Sequence, residues 1–258
     1  MLKSYPTINI LGIDILAIKK DAIFDEIIRR LHSKKKCYVC LINVYSSVLF
    51  YENEEFRNAI LAADFLIADG LPLIWVSCMK GQKIGRIRGT DLMLTLCQLS
   101  HKHLFSHYFY GGEPGIPEKV EAELKKKFPW LNVVGRFSPP FRPLTQYEDE
   151  AIVTSINSSK PDILWVALGN PKQEIWMLEN RKKLDVPMII GVGAAFDFLS
   201  GNVKQAPKWI QSVGLEWFFR LIQEPRRLWK RYIWYNTKFL ALLLLDFLRL
   251  PRKNPAQK

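Results

Sequence analysis

Cysteine is scarce: four residues among 258 cannot build a disulfide framework in a chain of this size. Met1 is followed by Leu2, Lys3, Ser4, Tyr5 and Pro6, without the apolar run of a signal peptide, so a reducing, cytoplasmic setting is expected. Long hydrophobic stretches are missing as well. The longest, Phe239 to Leu245, has 7 residues against the ~20 that a bilayer-crossing helix needs. There is no internal repeat, no low-complexity tract, no His-Glu-x-x-His, no Walker lysine pattern and no Asp-x-Asp of the kind that holds a metal on a sugar nucleotide. Cys37 and Cys40 form a C-x-x-C inside an apolar run, but Cys78 and Cys97 stand apart, so no second pair completes a zinc site. Neither a metal nor a cofactor is expected.

What is present is globular in character, with 48% hydrophobic and 24% charged residues. The 37 Lys and Arg outnumber 25 Asp and Glu, for a net charge of +12. The excess is concentrated: from Lys204 onward there are 12 basic and 3 acidic residues. A nearly neutral body with a basic end points to a polyanion met at that end, either an anionic membrane surface or a nucleic acid.

Short apolar runs alternate with amphipathic stretches, the pattern of an α/β protein whose mostly parallel sheet is flanked by helices. Ile8 to Ile18 reads as an edge strand or hairpin, Cys37 to Ile42 and Phe65 to Ala68 as strands. Asp21 to Leu31, Leu71 to Cys78 and Thr90 to Leu99 read as helices. Three later units repeat strand, glycine turn, helix, with turns at Gly111 to Gly115, Gly169 to Pro171 and Gly191 to Gly193. In a doubly wound sheet such turns gather beyond the carboxyl ends of the strands, where ligands bind. Ser138 to Pro143, with three prolines, is a stiff surface loop. After Gly201 tryptophan, arginine and leucine dominate, with Pro207 and Pro225 placed to open helices. The organisation expected is a core over residues 1–200 and a helical appendage over 201–258.

Chemistry follows from placement. Glycine turns let backbone approach a phosphate, and amides at the following helix start favour an anion. Gly191-Val192-Gly193 begins like a dinucleotide fingerprint, but Phe196 stands where its third glycine belongs, which argues against a dehydrogenase. Asp69 follows a strand and precedes Gly70, so its carboxylate emerges at the ligand end and suits a general base. Asn43 has the same placement and either bonds a sugar hydroxyl or closes a turn. His101, His103 and His107 read as solvated residues of a helix-to-strand connection. The tail from Trp217 to Leu250 mixes arginine with Trp229, Trp234 and a leucine run, composing an interfacial helix that lies on lipid or packs on protein. A basic, tryptophan-rich module for single-stranded nucleic acid is the competing reading, and the leucine run argues against it.

Taken in order, these motifs resemble the WecG/TagA/CpsF family of bacterial glycosyltransferases (glycosyltransferase family 26), over about residues 8 to 235. The matching positions are Asn43, Asp69-Gly70, the Arg-x-x-Gly-x-Asp of Arg86, Gly89 and Asp91, Pro171 to Glu174 with Trp176, and Gly191 to Asp197 with Gly201. Ala206-Pro207-x-Trp209, Glu216-Trp217-x-x-Arg220, Glu224-Pro225-x-Arg227 and Arg231-Tyr232 continue the series. Leu41, Ala68 and Gln205 depart from residues frequent in the family.

The resemblance implies a Rossmann-like fold and inverting transfer of a sugar from a UDP-sugar to a polyprenyl-diphosphate-linked sugar, at the inner face of the cell membrane, in exopolysaccharide, teichoic acid or common-antigen assembly. N-acetylmannosamine, its uronic acid, glucuronic acid and glucose are donors of that kind. The aspartate matching Asp69 is the implied base. Asn43, Gly70, Arg86, Asp91, Pro171, Lys172, Gln173, Gly191 and Gly193 are the implied substrate contacts, to which the reading of the glycine turns adds Gly111, Gly112 and Gly169. Glu174 and Asp197 either join them or brace the loops, while Arg220, Arg227 and Arg231 bring positive charge to the diphosphate. The partners expected are a UDP-sugar, a lipid-linked acceptor, an anionic membrane and possible further copies of the chain, and no nucleic acid.

Overall fold

The computed structural model of the chain describes residues 5–248, apart from the side chains of Ser212 and Arg227. Six strands form one fully parallel sheet: β3 (Cys37–Ile42), β4 (Phe65–Ala68), β5 (Ser106–Gly111), β6 (Asn132–Phe137), β7 (Ile163–Ala167) and β8 (Met188–Gly191), in the order β4-β3-β8-β7-β5-β6. A separate antiparallel hairpin, β1 (Thr7–Ile10) with β2 (Ile13–Leu16), precedes it. The N-terminal run is therefore a hairpin and not an edge of the main sheet.

The strands β3, β5, β7 and β8 are buried at every position, which is why they read as unbroken apolar runs. Their side chains feed two cores. Tyr38, Cys40 and Ile42 enter the one that also holds Leu164 and Val166, whereas Cys37, Val39 and Leu41 enter the other with Ile163 and Trp165. Cys37 and Cys40 thus face opposite sides of the sheet, and no single ion can reach both thiols.

Helices cover both faces: α1 (Lys20–His32), α2 (Val44–Glu52), α3 (Glu54–Leu61), α4 (Leu71–Met79), α5 (Gly89–His103), α6 (Ile116–Lys127), α7 (Gln146–Ser159), α8 (Lys172–Asn180) and α9 (Ala195–Leu199). The described residues close with α10 (Lys208–Ser212), α11 (Glu216–Gln223) and α12 (Pro225–Phe247). Phe239 and Leu243 of α12 enter the first core, and Tyr235 packs edge-on against Tyr45 at 4.5 Å. Two helical faces therefore coexist on α12: one seated on the body, the other carrying exposed Ile233, Leu240 and Leu244. Among the described residues, no helix is long and apolar enough to cross a membrane.

The histidines correct the sequence reading. His101 and His103 belong to α5, and His103 pairs with His32 at 3.0 Å. His107 is fully buried on β5, where one ring nitrogen meets Ser100 Oγ at 2.8 Å and Nδ1 accepts from Trp165 at 3.0 Å. Burial drives its pKa down to about 3, so it is a neutral core residue. A lone polar residue in a run of β-formers gives no sign of which way the strand turns it.

Candidate active site

Because all six strands of the sheet run the same way, the turns after β3, β4, β5, β7 and β8 open at one end. There they bound a cleft of about 2050 Å³, roofed by α11 and α12 and walled by the Pro139 to Leu144 loop. Single small-ligand pockets run to about 300–1,000 Å³, so this cleft has room for two substrates.

Asp69 sits at the tip of β4. Its amide and that of Gly70 both donate to the carbonyl oxygen of Ile42, at 2.8 and 3.4 Å, which clamps the turn against the end of β3. The side chain lines the cleft, half-buried. Desolvation pushes its carboxyl up to about 7, with Glu216 adding to the rise and Arg86 opposing it. Arg86 arrives on a short segment bridged in parallel to Ala68, with the Ile87 amide donating to the Ala68 carbonyl at 2.9 Å.

The sequence left two roles open for Asn43, and the turn-closing one is present. Its Oδ1 accepts from the Ser46 amide at 3.0 Å and from Ser46 Oγ at 3.1 Å, a capping box that opens α2. The residue also lines the cleft. Ser46 Oγ in turn accepts from Asn170 at 3.3 Å, which ties the β3 turn to the β7 turn.

In that second turn the Asn170–Pro171 peptide is cis, and Gly169 and Lys172 face the cleft. Gln173 bridges inward: its Oε1 accepts from the Gly193 amide at 3.0 Å, and its Nε2 donates to Glu174 at 2.7 Å. Glu174 is 0% exposed, and burial raises its pKa to about 8. It braces the loops from behind and does not reach the cleft. Of the two roles the sequence left open for Glu174, this is the bracing one.

Gly70, Gly112, Gly191, Gly193, Asp197, Arg220 and Arg231 also line the cleft, whereas Asp91, Gly111 and Pro171 stand behind it. Asp91 is held bidentately by Arg88, at 2.7 and 2.8 Å. Gly111 has a structural reason to be glycine: at φ +118° a Cβ would lie 2.5 Å from the Ala167 carbonyl carbon. Gly111→Ala should cost about 2 kcal/mol or more in chemical denaturation, without any change in cleft chemistry being needed to explain it.

In the roof, Arg220 lies over the Phe198 ring at 5.3 Å and Arg231 over Tyr45 at 3.7 Å. Arg231 thus lines the cleft. The side chain of Arg227 lies outside the described residues. Phe141, 99% exposed on the proline loop, lies under Lys172 at 4.8 Å. That loop is clamped at its base by Arg142 on Glu148, at 2.6 and 2.8 Å. Sequence reasoning did not single out Phe141, Arg88 or Gln211. Only Arg88 left a trace, as the second member of an Arg-x-Arg beside Asp69's strand.

An open parallel sheet with a cleft over its strand ends, an aspartate at a strand tip and arginines above it is the frame of an α/β enzyme site. The family model described as "Glycosyl transferase WecG/TagA/CpsF family" matches residues 8–253, and the chain belongs to that family. It is accordingly a glycosyltransferase of cell-surface polysaccharide synthesis. Among solved structures, a glycine-to-cysteine mutant of arylmalonate decarboxylase in a sulfate-associated form is similar over 76% of this chain and 83% of that one. At 16% identity and a TM-score of 0.27, that likeness carries no argument.

Proposed function

We propose that the chain moves a sugar from a UDP-sugar, with inversion, onto a hydroxyl of a sugar carried by a polyprenyl diphosphate. The observation that carries this reading is the Asp69 carboxyl, poised in the cleft with a pKa of about 7. A carboxylate with that proton affinity can accept a proton from an alcohol as it attacks. The acceptor oxygen bonds to the anomeric carbon from the face opposite UDP, its proton passes to Asp69, and the anomeric carbon–phosphate oxygen bond breaks with its electron pair leaving on UDP.

Charge growing on the diphosphate is met by Arg220 and Arg231. These groups take the place of a divalent ion, and no cofactor enters. Asn43 and Lys172 lie where they can touch hydroxyls or phosphate. The donor is one of N-acetylmannosamine, its uronic acid, glucuronic acid or glucose, and the basic, apolar α12 seats the enzyme on the inner face of a bacterial membrane.

The test is a panel of UDP-sugars offered with a short-chain polyprenyl diphosphate sugar, with released UDP measured with and without chelator. One donor should turn over, undiminished by chelator. Its kcat/KM should rise through about pH 7 and level off above, because the base works only when deprotonated. Loss of turnover with chelator would overturn the metal-free scheme.

A further inference from the structure

A single side chain joins Asp69 to the C-terminal helices. Arg86 Nε donates to the Asp69 carbonyl oxygen at 2.6 Å, its Nη1 donates to the Gln211 carbonyl at 3.1 Å, and its Nη2 donates to the Glu216 carboxylate. Arg88 grips the same two partners by their side chains, the amide oxygen of Gln211 and Glu216 Oε1, the latter at 2.8 Å. All three nitrogens of Arg86 are thus engaged with protein. A planar guanidinium holding three acceptors fixes them relative to one another far more tightly than an ammonium could.

We infer that Arg86, with Glu216 as its counter-charge, is a positioning residue: it braces the backbone of the base against a seated α11, so that roof closure and readiness of Asp69 are one event. This rests on the reading of Asp69 as the base. It replaces the substrate contact that resemblance implied for Arg86. The strut runs from the strand tip through the guanidinium to the first turn of α11, and nothing in it needs substrate to be present.

The charges make the strut testable. Four groups bear on Asp69: Arg86 and Arg88 favour its ionised form, Glu216 and Asp91 oppose it. Removing one end of the strut should therefore move the base in the opposite direction from removing the other. Each single change leaves the roof tethered to the body. Without the Arg86 charge, Arg88 still holds Glu216 of α11 and Gln211 of α10, and without the Glu216 charge both arginines still hold α10 through Gln211.

The experiment is the pH profile of kcat/KM for Arg86→Gln, Arg86→Lys and Glu216→Gln in the full chain, with the Asp69 titration followed in parallel by carboxyl 13C NMR. Arg86→Gln should raise the acidic limb and Glu216→Gln should lower it, each by about 1 pH unit. Arg86→Gln should also lower kcat by about 10²-fold with donor KM nearly unchanged, since misplacement of a catalytic group acts on the chemical step. Arg86→Lys should restore the limb but not the rate.

Limbs that stay at the wild-type pH, or that move together, overturn the strut, as does a rise in donor KM at unchanged kcat. If Arg86→Gln does not fold, Glu216→Gln and the NMR titration decide the matter alone. Asp69→Asn separates the two readings: turnover retained in that variant removes the base itself. Turnover lost there, beside unmoved limbs, removes only the strut.

Discussion

Asp69→Asn retains donor binding within about twofold and loses turnover by about 10²–10⁴-fold. The substitution keeps size and the backbone clamp of the β4 tip, since Ile42 bonds only the amides of Asp69 and Gly70. What it removes is the group that receives the proton. Isothermal titration with UDP and single-turnover assays separate the two quantities, and near-normal rates would withdraw the base assignment. Loss of UDP binding along with turnover would move Asp69 from proton transfer to donor recognition.

The second large effect belongs to α12. Replacing Ile233, Leu240 and Leu244 by serine should leave the fold intact, because all three are exposed on α12, Leu240 and Leu244 at the apolar end of the cleft. Each forfeits up to about 2 kcal/mol when it no longer enters lipid, so co-sedimentation with anionic vesicles should fall by ~10²-fold or more. Turnover of a short, water-soluble acceptor should fall far less than that of a full-length lipid acceptor. Unaltered vesicle binding would refute the lipid-facing role. Steep, salt-dependent binding of single-stranded DNA that survives the substitutions would favour the nucleic-acid alternative.

Much of the site could be read before any coordinates. Asp69 stood out because four apolar residues and an Asp-Gly turn mark the tip of a buried parallel strand, and the structure has the strand and the turn there. The three strand, glycine and helix units were legible for the same reason: parallel strands covered on both faces have no polar side to blur them. Strand order was not legible. Nothing local says that β8 inserts between β3 and β7, since that pairing is decided by crossovers spanning more than a hundred residues. The link between Arg86 and Glu216, 130 residues apart, was hidden for the same reason. His107 misled because side-chain type reports the usual environment of a residue, and tertiary packing placed it in the minority one.

The parallel sheet divides the molecule into a working end and a quiet one. Connections such as Ser33 to Lys36, the Leu104 corner and Arg181 to Pro187 lead into strand starts, at the pole opposite the cleft. Substitutions at that pole register in melting temperature before they register in catalysis, and a reporter or surface anchor grafted there leaves the entrance unobstructed.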